Sequence, residues 1–249
     1  MEKNLALLID AENISPDYIS TIIDEANKYG KISYRRIYGD WSTDRLKAWK
    51  SKCIEFGLTQ VQQYSYVSGK NTSDFTLIID AMDILYRDNV GGFCIVSSDS
   101  DFTKLVLRLK ENNMHIIGMG ESKTPLALVN SCDNFVYLDK IAKAVVVPAP
   151  IAKVSRSKKK KVEEKSSIAP LETVLQDVER IIADNNDEDG WAHWSLTNHL
   201  LLKKYPGFDP RNYNFKGKAL TFLVQQGFDT KKDALQVFIR PRKKTEVNA

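Results

Sequence analysis

Hydrophobic and polar positions follow two alternating patterns along the first ~140 residues. Short apolar runs, typical of buried strands, alternate with longer segments in which apolar residues recur at helical spacing. The runs that predict strands are 5–9, 32–38, 58–66, 93–97, 115–119 and 135–138, and the segments that predict helices are 15–30, 43–56, 74–86, 101–112 and 124–131. This alternation predicts an α/β fold whose mainly parallel sheet is covered by helices on both faces.

A different pattern begins near Val145. The following stretch contains spaced prolines and a lysine run but no periodicity, which indicates a linker. Beyond it, amphipathic segments predict three helices, and two short strands around a turn follow, which is the outline of a winged helix. We therefore predict four segments: a first domain (1–144), a basic linker (145–169), a winged-helix domain (170–241) and a basic tail (242–249).

The basic charge lies outside the first domain. The formal net charge is +4, but residues 1–149 carry 17 basic and 19 acidic side chains, whereas residues 150–169 carry seven and two. Residues 203–244 carry eleven basic and three acidic side chains. This distribution favours a polyanionic partner for the second half of the chain.

The cysteine usage and hydropathy indicate a cytoplasmic protein. The three cysteines are far apart and no C-x-x-C occurs, which excludes zinc ribbons and fits a reducing compartment. The first apolar run contains only five residues before an aspartate, so we expect no signal peptide. No run approaches the ~20 apolar residues of a membrane span.

Acidic residues follow two of the predicted strands. Asp10 comes directly after the first strand, and Asp99 and Asp101 follow the strand 93–97. Ligands of open parallel sheets bind outside the carboxyl ends of the strands, where the strand order reverses. If these two strands are neighbours, the three carboxylates converge in one crevice.

The predicted helix 74–86 offers two further aspartates. Asp74 shares an apolar stripe with Ile78, Ala81 and Leu85, so we expect it to face the sheet at the start of the helix. Asp80 shares a polar stripe that predicts a solvent-facing surface. Asp80 is therefore a weaker candidate for the acidic site than Asp74.

Two interpretations of the acidic residues remain open. Asp101 alone has the character of a helix cap, because aspartate is a preferred N-cap residue. Converging carboxylates, however, raise one another's pKa unless a cation neutralises them, and oxygen ligands suit Mg²⁺ or Mn²⁺. Such ions activate water and stabilise charge on a phosphodiester in reaction. Metal–phosphate chemistry is the interpretation that we favour.

Three ordered motifs give the first domain a family resemblance. L-L-I-D-A-E-N (7–13), G-K-N-T-S-D-F-T-L-I-I-D-A-M-D (69–83) and I-V-S-S-D-S-D-F (95–102), with C-D-N-F-V-Y-L (132–138), resemble NYN domains, relatives of PIN-type ribonucleases. The resemblance implies a PIN-like three-layer fold and a divalent-metal-dependent endoribonuclease.

The resemblance also implies roles for particular residues. The catalytic and metal-binding aspartates fall on Asp10, Asp74, Asp99 and Asp101, and Asn13 is expected to orient substrate or metal-bound water. The family pattern also has an acidic residue at Asp80, in conflict with its predicted solvent-facing position, so we keep Asp80 as a second-rank metal ligand. Lys70 is a candidate substrate contact, although Asn71 stands where members of the family often carry glycine.

Basic and aromatic residues alternate between Arg35 and Lys52. Arginine and lysine bind phosphates, and aromatic rings stack on unpaired bases. Trp41, in the loop after a predicted strand, is the candidate for stacking on RNA. Trp49 lies at helical spacing and is expected to pack in the core.

The second domain resembles a LOTUS (OST-HTH) domain, a winged-helix module often joined to NYN domains. The runs G-W-A-H-W-S-L-T-N-H-L-L-L-K-K-Y-P-G-F and K-A-L-T-F-L-V-Q-Q-G-F carry this resemblance, which implies binding of structured or G-rich RNA, or protein docking. The candidate RNA contacts are Lys203, Lys204, Arg211, Lys216 and Lys218, with Arg240, Arg242, Lys243 and Lys244 beyond them. We assign no role to His193 or His199.

Together these observations predict a metal-dependent ribonuclease whose C-terminal domain recruits single-stranded or structured RNA. The main alternative is a catalytically inactive RNA-binding or protein-docking adaptor. A nucleotide-binding regulator is disfavoured because no G-x-G-x-x-G follows the first strand. Homo-oligomerisation stays open, and no membrane partner is expected.

Overall fold

The computed structural model describes residues 4–63, 73–145, 167–234 and 236–242. The chain divides into two compact units, Met1–Ser167 and Ile168–Ala249. Most of the predicted linker and most of the predicted basic tail lie outside the described residues, as does Lys70.

The first unit contains a six-stranded sheet in the order β3-β2-β1-β4-β5-β6, and all five pairings are parallel. Its strands are β1 (Asn4–Asp10), β2 (Lys31–Gly39), β3 (Thr59–Gln62), β4 (Gly92–Val96), β5 (His115–Gly120) and β6 (Asn134–Tyr137). The predicted α/β class and parallel sheet are confirmed, and the arrangement fits a PIN-like domain.

Within the described part of the first unit, five α-helices connect these strands and a sixth follows β6. They are α1 (Ile19–Ala26), α2 (Lys47–Phe56), α3 (Ser73–Tyr86), α4 (Thr103–Glu111), α5 (Leu126–Ser131) and α6 (Leu138–Val145). Short 3₁₀ turns at Pro16–Tyr18, Asp44–Leu46 and Ser100–Phe102 precede α1, α2 and α4. The first five helices follow the predicted pattern, whereas α6 occupies a segment for which no helix is predicted.

The side chains of β1 alternate between two buried faces. Leu5, Leu7 and Ile9 pack in the core with residues of α1, α2 and α6. Leu8 and Asp10 point to the opposite face, because successive strand residues alternate, and α3 packs there against β1 and β2. The sheet is therefore covered on both sides, and Asp10 shares a face with α3.

The second unit combines three helices with a small antiparallel sheet of order β7-β9-β8. Its elements are α7 (Leu171–Asp184), β7 (Ala192–His193), α8 (Trp194–Lys204), α9 (Ala219–Gln225), β8 (Phe228–Asp233) and β9 (Gln236–Pro241). The three predicted helices and the hairpin are present, and the two-residue β7 is an additional strand. The winged-helix assignment stays a prediction.

Hydropathy within the helices bears on membrane insertion. No helix in the described ranges is both long and apolar enough to cross a bilayer.

Candidate active site

The carboxyl ends of β1 and β4 lie side by side at the centre of the sheet. Leu8 pairs with Ile95 and Ile9 with Val96, so the chain continues from neighbouring strands into Asp10 and Ser97. The strand order reverses at this pair, because β2 follows β1 on one side and β5 follows β4 on the other. Ligand sites of open α/β sheets form at such a position.

Asp10 is 2% exposed and accepts three hydrogen bonds. Its Oδ1 accepts from the backbone N–H of Glu12 at 3.1 Å, and its Oδ2 accepts from Asn13 Nδ2 at 2.7 Å and from Ser97 Oγ at 2.8 Å. Asn13 thus contacts Asp10 directly, and its predicted role in orienting substrate or metal-bound water stays a prediction.

Burial raises the pKa of Asp10 above its ordinary value of 3.8, because a charged carboxylate loses hydration there. The hydrogen bonds from Asn13, Ser97 and the Glu12 backbone act in the opposite direction but do not cancel this effect. All three donors are neutral. Within the described ranges, Asp10 is therefore buried without a cationic partner.

Ser97 links Asp10 to the loop that carries Asp99. The buried Ser97 hydroxyl donates to Asp10 and accepts from the Asp99 backbone N–H at 3.0 Å. The backbone N–H of Ser97 in turn donates to Met119 on β5 at 3.0 Å. Ser97 is not among the site residues predicted from the sequence, although a serine between a buried strand and an aspartate is a recognisable signal.

Asp99 and Asp101 have different local roles. Asp99 is the N-cap of the 3₁₀ turn Ser100–Phe102, and its Oδ1 accepts from the backbone N–H of Asp101 at 2.9 Å. Asp101 is an exposed residue inside that turn. The alternative interpretation of Asp101 as a helix cap does not hold, since the side chain with the cap geometry belongs to Asp99.

Asp74 lies in the first turn of α3. Because α3 connects β3 to the parallel strand β4, its first turn lies at the carboxyl edge of the sheet, where β1 and β4 also end. The side chain of Asp74 is outside the described part of the structure, so its role stays a prediction.

Asp80 does not face solvent, and that expectation from the helical stripe is wrong. Its carboxylate accepts hydrogen bonds from Arg36 Nη1 and from the Tyr38 hydroxyl, both on β2, and its side chain is 17% exposed. The buried face of α3 is centred on Leu77 and Ala81, so Asp80 lies at the border of that face. This sheet-facing surface is wider than a single stripe predicts.

The donor atoms at the carboxyl edge are hard oxygens, which suit Mg²⁺ or Mn²⁺. Among the residues whose side chains are described, no three His, Cys, Asp or Glu groups form a cluster that could hold a metal ion. The described side chains include those of Asp10, Asp99 and Asp101, so these three carboxylates do not form such a cluster by themselves. A complete ligand set would therefore need the Asp74 carboxylate or a rearrangement of the Asp99 loop.

An open cleft of about 280 Å³ adjoins the loop after β1. Residues 11–16 form one wall, and Arg45, Trp49, Glu121 and Lys123 also line it. Trp49 is 1% exposed and packs in the core, as the sequence predicts.

Trp41 is partly buried in the loop that follows β2. Its indole N–H donates to the Val61 carbonyl at 3.0 Å, and its backbone N–H donates to Gln62 Oε1 at 3.1 Å. The ring also packs against the core. These contacts fix Trp41 between β2 and β3, and its stacking on RNA stays a prediction.

The basic candidates of the second unit fall into two groups. Lys203, Lys216 and Lys218 are exposed. Lys204 Nζ lies 2.7 Å from Asp177 Oδ1, and Arg211 Nη2 lies 2.7 Å from Asp209 Oδ2. Lys204 is also half exposed, but both paired cations already contact a carboxylate, so the other three lysines are better placed to meet phosphates.

Comparisons with known proteins are consistent with this geometry. The model of the NYN domain family matches residues 4–139. An uncharacterized protein of Methanocaldococcus jannaschii is 26% identical over 171 residues, which cover 66% of this chain and 66% of that protein, slightly less than two thirds of its length.

Among solved structures, a protein of unknown function from Vibrio parahaemolyticus is similar at 18% identity with a TM-score of 0.46. The match covers 55% of this chain and 93% of that chain.

Proposed function

This chain belongs to the NYN domain family, and from that premise we propose that it is a divalent-metal-dependent endoribonuclease that hydrolyses RNA phosphodiesters. NYN and PIN-like domains are generally nucleases. Asp10, Asp74, Asp99 and Asp101 are the proposed catalytic and metal-binding residues, with Asp80 in second rank.

The observation that carries this proposal is the environment of Asp10. This carboxyl group is 2% exposed and accepts hydrogen bonds from neutral donors, so no cation of the described residues compensates its ionised form. Its pKa is raised by that burial. A bound cation would remove the desolvation cost, and the switch point between β1 and β4 is the expected position for a phosphate ligand.

Mg²⁺ or Mn²⁺ held by the four aspartates would supply an activated water and stabilise charge on the phosphate. The protein residues have their own tasks. Asn13 and Ser97 fix the orientation of Asp10 through hydrogen bonds of 2.7 and 2.8 Å. Ser97 also holds the Asp99 backbone, so a movement of one acidic residue is transmitted to the other.

The second unit is proposed to bind RNA and thereby raise its concentration at the catalytic domain. Three exposed lysines, Lys203, Lys216 and Lys218, support this role. Tethering through the segment between the units would increase the effective concentration of RNA without a new contact at the active site.

A catalytically inactive adaptor is the second candidate. The observation that favours it is that Asp99 already serves as a helix cap and accepts the Asp101 N–H. A carboxylate retained for capping would remain in place without any metal. The two candidates differ in one measurable property, which is turnover.

The test is incubation of the full chain with a mixed pool of labelled RNAs in Mn²⁺ or Mg²⁺, beside a control containing EDTA. We expect internal cleavage that requires the divalent ion and that is abolished in Asp10→Asn. The matched control is Asp24→Asn, which changes an exposed aspartate of α1. Intact RNA after prolonged incubation with either metal would leave the adaptor as the function.

A further inference from the structure

The antiparallel sheet of the second unit has one buried face and one outer face. Ala192, Phe228 and Ile239 are buried and pack with core residues of α7, α8 and α9. Neighbouring strand residues point the other way. His193 and Phe238, which pair across β7 and β9, therefore lie on the outer face.

Aromatic and basic side chains occupy this outer face across all three strands. The ring centroids of His193 and Phe238 are 4.4 Å apart, and Lys231 Nζ on β8 lies 5.2 Å from the Phe238 ring centroid. Trp191 continues the row, with Lys231 Nζ at 4.8 Å and the Arg240 guanidinium carbon at 4.2 Å from its ring centroid. These five residues form what we call the aromatic–basic platform.

The charge of the platform is only partly neutralised. Among the residues that the structure describes, Arg240 Nε is buried without a hydrogen-bond partner, and Nη1 makes a long 3.5 Å contact with the Asp189 carbonyl. Lys231 lies 4.0 Å from Asp187, at the limit of an ion pair. Within the described ranges, no carboxylate forms an ion pair with Arg240, whereas nearby Asp229 is paired with Arg242 at 2.9 Å.

We propose that the aromatic–basic platform binds unpaired nucleotides of single-stranded RNA, with Trp191, His193 and Phe238 offering ring faces to bases and Lys231 and Arg240 contacting phosphates. Stacking rings combined with a basic track are the features by which proteins bind single strands without reading sequence. An acidic protein would use the cations but gain little from three adjacent rings. This inference rests on the proposed RNA binding by the second unit and gives that function a surface separate from the exposed lysines.

The contacts of the aromatic–basic platform could instead serve only to stabilise the fold, and an experiment can distinguish this role from RNA binding. Cation–π pairs at exposed sites stabilise folds by ~0.5–1 kcal/mol each. On that alternative, loss of a ring lowers the melting temperature and leaves RNA affinity unchanged. On the proposal, loss of a ring lowers affinity for single strands more than affinity for duplexes, because paired bases do not present free faces.

The experiment uses the full chain in EDTA with a fluorescent single-stranded RNA of roughly 12 nucleotides and the same sequence as a duplex. We expect Trp191→Leu and Phe238→Leu each to weaken single-strand binding by about ten-fold and duplex binding much less. Trp191→Phe keeps an aromatic face and should recover most of the affinity. Arg240→Lys keeps the charge and loses the planar stack, so its effect should also be larger on the single strand.

The matched control is the double substitution Lys216→Gln and Lys218→Gln, which removes charge from exposed positions without touching a ring. It should weaken single-strand and duplex binding to a similar extent, mainly at low salt. Melting temperatures of all variants show that each is folded. Equal losses for both RNA forms in the ring variants, or unchanged single-strand affinity, would overturn the platform as a stacking site.

This outcome is independent of the nuclease proposal because the binding assay contains no free divalent metal. A protein that binds RNA through Trp191 and never cleaves it contradicts only the proposed catalysis. A protein that cleaves RNA with an affinity indifferent to Trp191 and Phe238 contradicts only the platform.

Discussion

Asp10 and Asp80 lie on the same side of the same sheet but differ in the groups that meet their charge. Asp10 is almost completely buried and accepts hydrogen bonds only from neutral donors of the described residues. Asp80, at 17% exposure, is bonded to the guanidinium of Arg36 and the hydroxyl of Tyr38. The ionised form of Asp10 has no compensating cation among the described residues, whereas Asp80 is paired with Arg36.

The difference indicates which aspartate is suited to an external cation. A buried charge without a partner is costly, and proteins keep such groups mainly where a ligand completes them. Burial and donation to Asp80 raise the pKa of Tyr38, so its hydroxyl stays protonated and continues to donate. Asp80 thus belongs to a closed ion-pair cluster, which makes it a weaker metal-ligand candidate than Asp10.

The largest expected effect is on cleavage by Asp10→Asn. If the cation is bound here, removal of this charge should lower the single-turnover rate by roughly 10³-fold, since metal stabilisation of the reacting phosphate is worth several kcal/mol. Asp80→Asn should stay within about ten-fold of the wild type at saturating metal. The measurement is cleavage of a labelled RNA across a Mn²⁺ titration.

The opposite result in these two variants would reverse the assignment of Asp10 and Asp80. If Asp80→Asn abolished metal-stimulated cleavage while Asp10→Asn retained it, Asp80 would be the ligand and the Arg36 pair would open on metal binding. RNA affinity measured in EDTA should be unchanged in both variants.

The next effect is on folding stability in the Asp80 cluster. Arg36→Met leaves a mostly buried carboxylate without its cation and should lower the free energy of unfolding by about 2 kcal/mol, reduced from fully buried pairs because both side chains retain some exposure. Urea denaturation in EDTA measures the free energy of unfolding of each variant. The double variant Arg36→Met, Asp80→Leu should recover part of the loss, and a double variant no more stable than Arg36→Met would show that no such charge penalty exists.

A third effect concerns the pH dependence of stability in metal-free protein. The folded-state pKa of Asp10 is raised above 3.8, so its favourable contribution is fully present below about pH 4 and is lost as pH rises through the folded pKa. The stability of wild type relative to Asp10→Asn should therefore decrease as pH rises from acid to neutral. Denaturation curves of both proteins in EDTA test the sign.

Added Mn²⁺ should restore wild-type stability at neutral pH and leave Asp10→Asn unchanged. A wild type whose stability relative to Asp10→Asn increased with pH would show that a cation of the protein itself compensates Asp10.

The smallest effect separates charge from capping at Asp99. Asp99→Ala should cost about 1 kcal/mol of stability, whereas Asp99→Asn keeps the acceptor and should cost only a few tenths. Both should lose cleavage if Asp99 binds the metal. Full activity in Asp99→Asn would assign this residue to architecture alone, and thermal melts with a cleavage assay supply both measurements.

The sequence alone could predict much of this site, because the carboxyl ends of apolar parallel strands share one edge. Asp10 and Asp99 could be assigned to that edge without coordinates. Whether β1 and β4 are neighbours could not be derived, since they are far apart along the chain and only the sheet order decides it.

Hydrophobic periodicity could predict neither the environment of Asp80 nor the aromatic–basic platform. A helical stripe predicts the centre of a buried face but not its width, and Arg36 and Tyr38 extend that face to Asp80. On the second sheet, β7 has only two residues, too few for an alternating pattern. The position of His193 beside Phe238 follows from that pairing, so no local signal could reveal it.

The pairing of β1 with β4 has a consequence for the order of events during biosynthesis. Asp10 is made early, but its partner Ser97 emerges after the whole of β2, β3 and α3. At synthesis rates of ~5–20 residues per second, several seconds separate the two residues. A nascent chain that ends before Gly92 lacks the central strand on which half of the acidic residues depend. The proposed nuclease site would therefore be incomplete until most of the first unit had been translated.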